Sequence, residues 1–292
     1  MAVRNIQLII NYDGGEYHGW QIQPGLKTIQ GVLTEAIGNL IGGEVRVFGA
    51  SRTDAGVSAL GQVGLVEIDS LIPTENLAKA ISDRLPDDIV VTEALEVPQG
   101  FDLISAVKSK LYRYTIFTGQ VRPVLEIRHC LHLPGQLDTA AMSQTAKLLV
   151  GKKDFKSFAS AADKRENTVR TIFRCDVCSS CAARDASCEK VQMDSCSPIG
   201  VENKLRRNNN TQYAIRDTQY ENDWLYIDVE GDGFLYNMVR NIVGTLIEVG
   251  QGRWKPEKIN QILEAKDRTA AGPLAPAAGL CLMWIVTISL KK

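Results

Sequence analysis

The chain has 292 residues, of which 45% are hydrophobic and 23% charged, and its formal net charge is −1. These values are typical of a globular protein with a core large enough for one large domain or two smaller ones. No segment has the apolar length of a membrane-spanning helix, and no signal-peptide pattern precedes the first apolar run. We therefore expect no membrane association and a cytoplasmic location.

The charges are unevenly distributed along the chain. Residues 1–100 contain 6 Lys and Arg against 13 Asp and Glu, whereas residues 101–174 contain 13 against 6. A near-neutral total can therefore hide a basic surface that attracts the phosphates of a nucleic acid. A solvated surface of mixed charge is the alternative, and the charge counts alone leave both interpretations open.

The first part of the chain predicts elements in the order β-α-β-β-α-β. Apolar residues at helical spacing followed by a glycine pair predict the first helix, and short apolar runs bounded by turn residues predict the strands. The strands are expected at 5–14, 45–51, 62–69 and 88–97, and the helices at 28–43 and 75–85.

The second part of the chain repeats this order. Asp138 is placed to cap a helix and Gly151 to end it. The strands are expected at 109–117, 169–177, 223–231 and 280–290, and the helices at 138–151, 233–250 and 255–265.

Two successive split β-α-β units indicate the α+β class. We expect two ferredoxin-like (βαββαβ) halves, residues 1–105 and 106–292, whose antiparallel sheets meet at a central catalytic cleft. A stretch at about 178–222 is polar and aperiodic. We interpret it as a loop inserted in a hairpin between two strands of the second half.

Cysteines cluster in and beside this insertion. Cys175, Cys178 and Cys181 have C-x-x-C-x-x-C spacing, which occurs in metal and iron–sulfur sites. Cys188 and Cys196 complete no standard pattern, and no histidine is nearby. Free thiols in a loop, a metal site and disulfides remain open, and free thiols are the interpretation that the spacing favours.

The stretch GASRTDAGVSALGQV, residues 49–63, places Arg52 and Asp54 two positions apart between two apolar runs. In an extended segment both side chains would point to the same side, because side chains alternate along a strand. A neighbouring guanidinium favours an ionised carboxylate, which is what an aspartyl nucleophile requires. The alternative is a turn in which Arg52 is a surface partner of the aspartate, and the pair alone does not decide between them.

Further motifs accompany this stretch along nearly the whole chain outside the insertion. They are YDGGEYHGWQIQ at 12–23, LYRYTIF at 111–117, DFKSFAS at 154–160, FLYNMVRNIVGTLIEVGQGR at 234–253 and AAGPLAPAAGLCL at 270–282. Together with SRTDAGVSALGQV, and in this order, they resemble the motifs of the tRNA pseudouridine synthase A family. Several separate matches of this length are highly specific.

The resemblance implies roles for four residues. Asp54 would be the nucleophile of a uridine-to-pseudouridine isomerase, and Arg52 its ion-pair partner, which helps to hold the place of a flipped nucleotide. Tyr112 matches the tyrosine that packs against the target uracil, and Arg240 matches an arginine near the catalytic aspartate. The family's substrates are uridines 38 to 40 in the anticodon stem-loop of tRNA, its members are homodimers, and the reaction needs neither cofactor nor metal.

The residues leave some questions open. The carboxylate could attack C1′ of the ribose or take a proton from it to give a glycal. A non-catalytic RNA-binding module is the rival function, and intact Arg52, Asp54 and Tyr112 favour the enzyme. The chain also departs from the family pattern: Ser51 replaces a glycine, Ser58 stands where a histidine is common, and the segment 101–106 lacks an arginine. We expect these differences to affect affinity or position preference and not the chemistry.

Overall fold

The computed structural model describes residues 3–179 and 223–288. Its strands are β1 (Arg4–Tyr12), β2 (Val47–Gly49), β3 (Ser58–Ile68), β4 (Ile89–Val97), β5 (Val107–Phe117), β6 (Leu131–His132), β7 (Gly151–Asp154), β8 (Val169–Cys178), β9 (Trp224–Gly231) and β10 (Leu280–Thr287). Its helices are α1 (Ile29–Ile41), α2 (Thr74–Ser82), α3 (Thr139–Leu149), α4 (Met238–Gly250) and α5 (Lys258–Ala265). None of these helices has the length and apolar composition required to cross a bilayer.

The strands of the described residues form one mixed sheet in the order β4-β1-β3-β10-β5-β9-β8-β7, with β2 paired to β3 and β6 to β5. Pairing is antiparallel within β4-β1-β3-β2 and within β10-β5-β9-β8-β7. A short parallel pairing of β3 with β10 joins the two groups. The α+β class is confirmed, and the sheet is continuous where the sequence led us to expect two. The division into ferredoxin-like halves stays a prediction.

The ends of two helices follow the signals in the sequence. The side chain of Thr28 accepts a hydrogen bond from the amide of Gly31 and so caps α1, and Gly42 ends this helix in the left-handed conformation with a φ of 72°. Asp138 caps α3 by accepting from the amide of Ala141, as predicted. The helix expected from residue 233 begins only at Met238, because the residues before it form an irregular segment.

One large apolar core contains side chains from every described helix and from the sheet. A smaller cluster consists of Ala50, Val63, Leu65 and Leu103. Because Val63 and Leu65 alternate with the residues of β3 that face the large core, this cluster lies on the opposite face of the strand. In this cluster Leu103 packs with Ala50, which lies at the start of the loop that carries Asp54. The segment 101–106, which differs from the family pattern, therefore supports the start of that loop.

Candidate active site

Asp54 lies in the loop between β2 and β3, and this loop is anchored at alternate residues. The side-chain amide of Gln62 donates to the carbonyl of Ser51 (2.8 Å) and its oxygen accepts from the Ser51 amide (3.2 Å). The hydroxyls of Tyr12 and Thr53 are 2.7 Å apart in a buried hydrogen bond. Since Ser51 and Thr53 are buried, Arg52 and Asp54 are left to project towards the surface and the site.

The motif near the N-terminus supports the same loop from behind. A Cβ atom added to Gly14 would lie 2.1 Å from the carbonyl oxygen of Val57, and one added to Gly19 would lie 2.6 Å from that of Thr53. The amide of Trp20 donates to the Thr53 carbonyl (3.0 Å). Only glycine permits such close approach of two backbones, so this motif and the loop form one packed unit.

The loop contains the turn that the sequence offered as an alternative. The amide of Val57 donates to the carbonyl of Asp54 (3.1 Å), and Gly56 has a φ of 77°. Arg52 and Asp54 thus lie in a loop and not in a strand, although both project outward from it. Among residues 3–179 and 223–288 Arg52 has no ion-pair partner, and its side chain is exposed. In this structure Arg52 therefore makes no ion pair with Asp54, and its role beside a bound nucleotide stays a prediction.

The ion-pair partner of Asp54 is Arg240, from the first turn of α4. Arg240 Nη1 lies 3.7 Å from Asp54 Oδ2, and the two side chains are 14% and 21% exposed. Arg240 Nε donates to the carbonyl of Ala275 (2.7 Å), and Nη1 donates to Oδ1 of Asn237 (3.1 Å). The guanidinium is thus held by two acceptors besides the aspartate, and the structure brings together two of the four residues that the sequence singled out.

Burial and charge act in opposite directions on Asp54. Removal from water raises the pKa of its carboxyl, and the Arg240 guanidinium lowers it by less, so the pKa stays above the usual value. The sequence led us to expect a lowered pKa from a neighbouring arginine. The pKa is raised and not lowered because the carboxylate is largely buried and its ion pair with Arg240 is long.

Tyr112 of β5 approaches the same loop from the other group of strands. Its hydroxyl is 3.0 Å from Oγ of Ser51, and its ring makes an edge-on contact with Phe234 at 5.3 Å between ring centres. Burial raises the pKa of Tyr112 to about 12, with a smaller contribution from the charge of Asp54, so the phenol is protonated at neutral pH. Tyr114, two residues on, is fully buried and donates to the carbonyl of Pro276 (2.9 Å).

An irregular segment before α4 carries both Phe234 and Asn237 to the site. Asp163 Oδ2 accepts from the amide of Tyr236 (2.8 Å), and Arg165 donates to the Phe234 carbonyl (3.1 Å). Arg165 and Asp163 are also paired with each other at 2.6 Å. No motif or spacing in the chain indicated these long-range contacts or the roles of Ser51 and Asn237.

The basic residues of the middle region are only partly free to contact RNA. Arg113 makes a two-point ion pair with Asp228, with both N–O distances at 2.7 Å. Lys110 donates to the Ala50 carbonyl (2.7 Å), and burial lowers its pKa to about 8. Lys108, in contrast, is exposed. Only the exposed members of the region, such as Lys108, remain candidates for contacts with phosphates.

The two described cysteines beside the insertion are free thiols: Cys175 is buried and Cys178 half-buried. Cys181, Cys188 and Cys196 lie outside the described residues, so their predicted state is not tested. No group of three His, Cys, Asp or Glu side chains in residues 3–179 and 223–288 is placed to hold a metal ion.

Comparison with known proteins gives a consistent family. A family model described as tRNA pseudouridine synthase matches residues 8–103 and 145–286, which contain Asp54 and Arg240. The chain belongs to the tRNA pseudouridine synthase family. A tRNA pseudouridine synthase A of Caldicellulosiruptor saccharolyticus is 37% identical over 284 residues, which cover 97% of this chain and 100% of that protein.

Two further relatives of this family extend the similarity. The tRNA pseudouridine synthase A of Acetivibrio thermocellus is 38% identical over 281 residues, 96% of this chain and 98% of that protein. The tRNA pseudouridine synthase A 2 of Clostridium perfringens is 37% identical, with 96% and 98% coverage. The resemblance inferred from the motifs is confirmed, and the chain is an isomerase of the pseudouridine synthase family.

Proposed function

We propose that the chain converts uridine to pseudouridine at positions 38 to 40 of the anticodon stem-loop of tRNA, with Asp54 as the nucleophile. Family membership supports the reaction and the tRNA substrate. The observation that carries the assignment of the nucleophile is the partly exposed carboxylate of Asp54, held at the junction of the two strand groups with Arg240 beside it.

Each step of the reaction has a candidate group. The C1′–N1 bond breaks, and the Asp54 carboxylate either bonds to C1′ or takes a proton from C2′ to give a glycal. The uracil then turns, C5 bonds to C1′, and the carboxylate leaves or returns the proton. The proton at C5 is finally lost to a base and N1 takes up a proton, which restores the aromatic ring. Nothing is oxidised or reduced overall, and the reaction needs no metal or cofactor.

Arg240 supports this chemistry through the charge on Asp54. Burial makes the carboxylate reactive but also favours its protonation, and the guanidinium opposes that protonation. Because Arg240 is held by Ala275 and Asn237 as well, it can remain in place while the carboxylate reacts.

Tyr112 and Arg52 are assigned to the substrate. The target nucleotide must leave its stack before it reaches Asp54, which costs a few kcal/mol. Tyr112, fixed by Ser51 and Phe234, is assigned to the uracil by the family resemblance, and its ring is buried in this structure. Arg52 is exposed on the same loop and free to contact the RNA at the place the nucleotide vacates.

Finer expectations rest on the family resemblance. We propose a homodimer in the cytoplasm, and two ferredoxin-like halves as the origin of the two antiparallel strand groups. The strand order β4-β1-β3-β2 supports the latter, because it is the order that a βαββαβ unit forms.

The decisive experiment incubates the full chain with unmodified tRNA and maps the modified uridines. Pseudouridine confined to positions 38 to 40 is expected. Pseudouridine only at other positions would refute the position assignment, and binding without any pseudouridine would favour a non-catalytic RNA-binding protein.

The same assay tests the nucleophile. We expect Asp54→Asn to lower kcat by about 10⁴-fold or more, the scale seen when a covalent nucleophile is removed, while tRNA binding changes little. Asp83→Asn, which alters an exposed carboxylate paired with Lys79, is the control and retains activity. Measurable turnover by Asp54→Asn at a rate near that of Asp83→Asn would overturn the assignment.

A further inference from the structure

Asn237 has an unusual backbone conformation immediately before α4. Its φ is 61° and its ψ 8°, and within residues 3–179 and 223–288 only Lys266 shares a positive φ among residues other than glycine. The left-handed region costs an ordinary side chain about 1 kcal/mol or more, although asparagine adopts it more readily than most. A conformation of this kind is retained when something else requires it.

The side chain of Asn237 does not do what its position would suggest. An asparagine at the N-cap of a helix commonly accepts a hydrogen bond from an amide of the first turn, but Asn237 makes no such bond. Its Oδ1 instead accepts from Nη1 of Arg240 (3.1 Å), and that same Nη1 is the atom 3.7 Å from Asp54. The carboxamide thus acts on the arginine and not on the helix end.

We propose that Asn237 is a positioning residue that holds the Arg240 guanidinium against Asp54. This inference rests on the proposed function of Asp54. The Arg240 guanidinium donates from Nε to the Ala275 carbonyl and from Nη1 to Oδ1 of Asn237. It is therefore held by protein acceptors at two of its three nitrogens. Without the carboxamide, only one protein acceptor besides Asp54 remains, and the plane of the guanidinium is free to turn about it.

The charges around Asp54 make this positioning measurable. The groups that face Asp54 and Arg240 from β5 are Tyr112 and Tyr114, and burial raises the pKa of both phenols, so that they are neutral at working pH. Arg240 is the cation that lowers the pKa of Asp54. When Arg240 is less firmly placed, the Asp54 carboxylate takes up a proton at higher pH.

The test is Asn237→Gly, because glycine adopts the left-handed conformation without cost and lacks only the carboxamide. We expect the melting temperature to be unchanged or higher, kcat to fall by about 10- to 100-fold, and the acidic limb of the kcat profile to move to higher pH. Lys266→Gly is the matched control, since it changes the other positive-φ residue at the end of α5, and it should leave the profile in place.

The outcomes are distinct. Wild-type kcat and an unmoved acidic limb in Asn237→Gly would overturn the positioning role. A loss of kcat that merely accompanies a lower melting temperature, with the limb unmoved, would also refute it, because the role would then be structural. Asp54→Asn is measured in parallel: if that variant is active, the proposed nucleophile fails whatever Asn237→Gly does.

Discussion

Asp54 illustrates how a single carboxylate can be tuned by two opposing influences. Its burial favours the protonated form, whereas a nucleophile must be ionised. The Arg240 guanidinium favours the ionised form and so offsets part of the effect of burial on the pKa. A fully exposed aspartate would be ionised over a wider range of pH but well solvated, and a fully buried one without Arg240 would be protonated. The ion pair is long, at 3.7 Å, and 21% of the Asp54 side chain remains exposed.

The pH dependence of the reaction follows from this balance. Because the folded protein raises the pKa of Asp54, the reactive carboxylate is present above that pKa and is lost as the pH falls through it. We expect the acidic limb of kcat/KM to have its midpoint above the usual range for an aspartate, and Arg240→Gln to move it higher still. The measurement is kcat/KM against pH for both proteins, within the range where circular dichroism shows each to be folded.

A result at or below the ordinary pKa of an aspartate would contradict this prediction, because it would mean that the arginine outweighs burial. Asp83→Asn, which alters an exposed carboxylate, serves as the control and should reproduce the wild-type profile.

Helix α4 positions Arg240 by packing closely against the segment that leads into β10. The amide of Gly272 donates to the hydroxyl of Thr245 (2.9 Å), and the amide of Ala275 donates to the carbonyl of Arg240 (3.3 Å). A Cβ atom added to Gly244 would lie 1.7 Å from the carbonyl oxygen of Pro273. The helix and the segment therefore approach each other as closely as two backbones can.

We predict that Gly244→Ala lowers the free energy of unfolding by about 1–3 kcal/mol or more, because the atom it would strike belongs to the backbone and cannot rotate away. Urea unfolding followed by circular dichroism measures the change. Gly43→Ala, just beyond α1, is the control: no atom lies within 4 Å of its added Cβ, so its stability should stay near wild type. Equal stability of the two variants would show that the α4 contact is not tight.

The sequence predicts elements well where their determinants are local. The helix cap at Asp138 could be predicted, since the amide that it caps, that of Ala141, lies only three residues further along the chain. The start of α4 could not, because the segment before it is held by Asp163 and Arg165 from a distant part of the chain. Strand β7 was missed for a related reason: GKKD has no apolar pattern, and it is a strand only through its pairing with β8.

The same distinction applies to the site. The motif around Asp54 indicated the family. From the spacing within that motif alone, however, we expected Asp54 to pair with Arg52, its near neighbour in sequence. The actual partner is Arg240, which the fold brings from the other strand group, and the acceptors that hold Arg240 are equally remote from Asp54 along the chain. Residue spacing cannot predict long-range pairing of this kind, whereas the family resemblance did place Arg240 near the aspartate.

At the scale of the whole molecule, the site lies where the two strand groups join. Strands β3 and β10 pair in parallel only at Ser58 with Cys281 and at Ala59 with Leu282. The loop that ends in β3 carries Asp54, and the segment that leads into β10 supplies the Ala275 carbonyl bound by Arg240. We therefore expect the geometry of this short pairing to set the distance between Asp54, the proposed nucleophile, and Arg240.

Gly61 permits this junction to close. A Cβ atom added there would lie 2.6 Å from the carbonyl oxygen of Met283 and 2.9 Å from Cα of Trp284, both backbone atoms of β10. We predict that Gly61→Ala separates β3 from β10, lowers the free energy of unfolding by about 1–3 kcal/mol, and lowers kcat at temperatures where the protein is still folded. Pseudouridine formation and urea unfolding, measured on the same preparation, check both effects.

Gly64→Ala, in the same strand, is the matched control. The atom nearest its added Cβ is Cδ1 of Ile10 at 2.9 Å, the end of a flexible side chain that can move aside. This variant should therefore lose under about 1 kcal/mol of stability and keep its kcat. If Gly61→Ala were as active and as stable as Gly64→Ala, the spacing of β3 and β10 would not control the distance between Asp54 and Arg240, and the site would depend on its local hydrogen bonds alone.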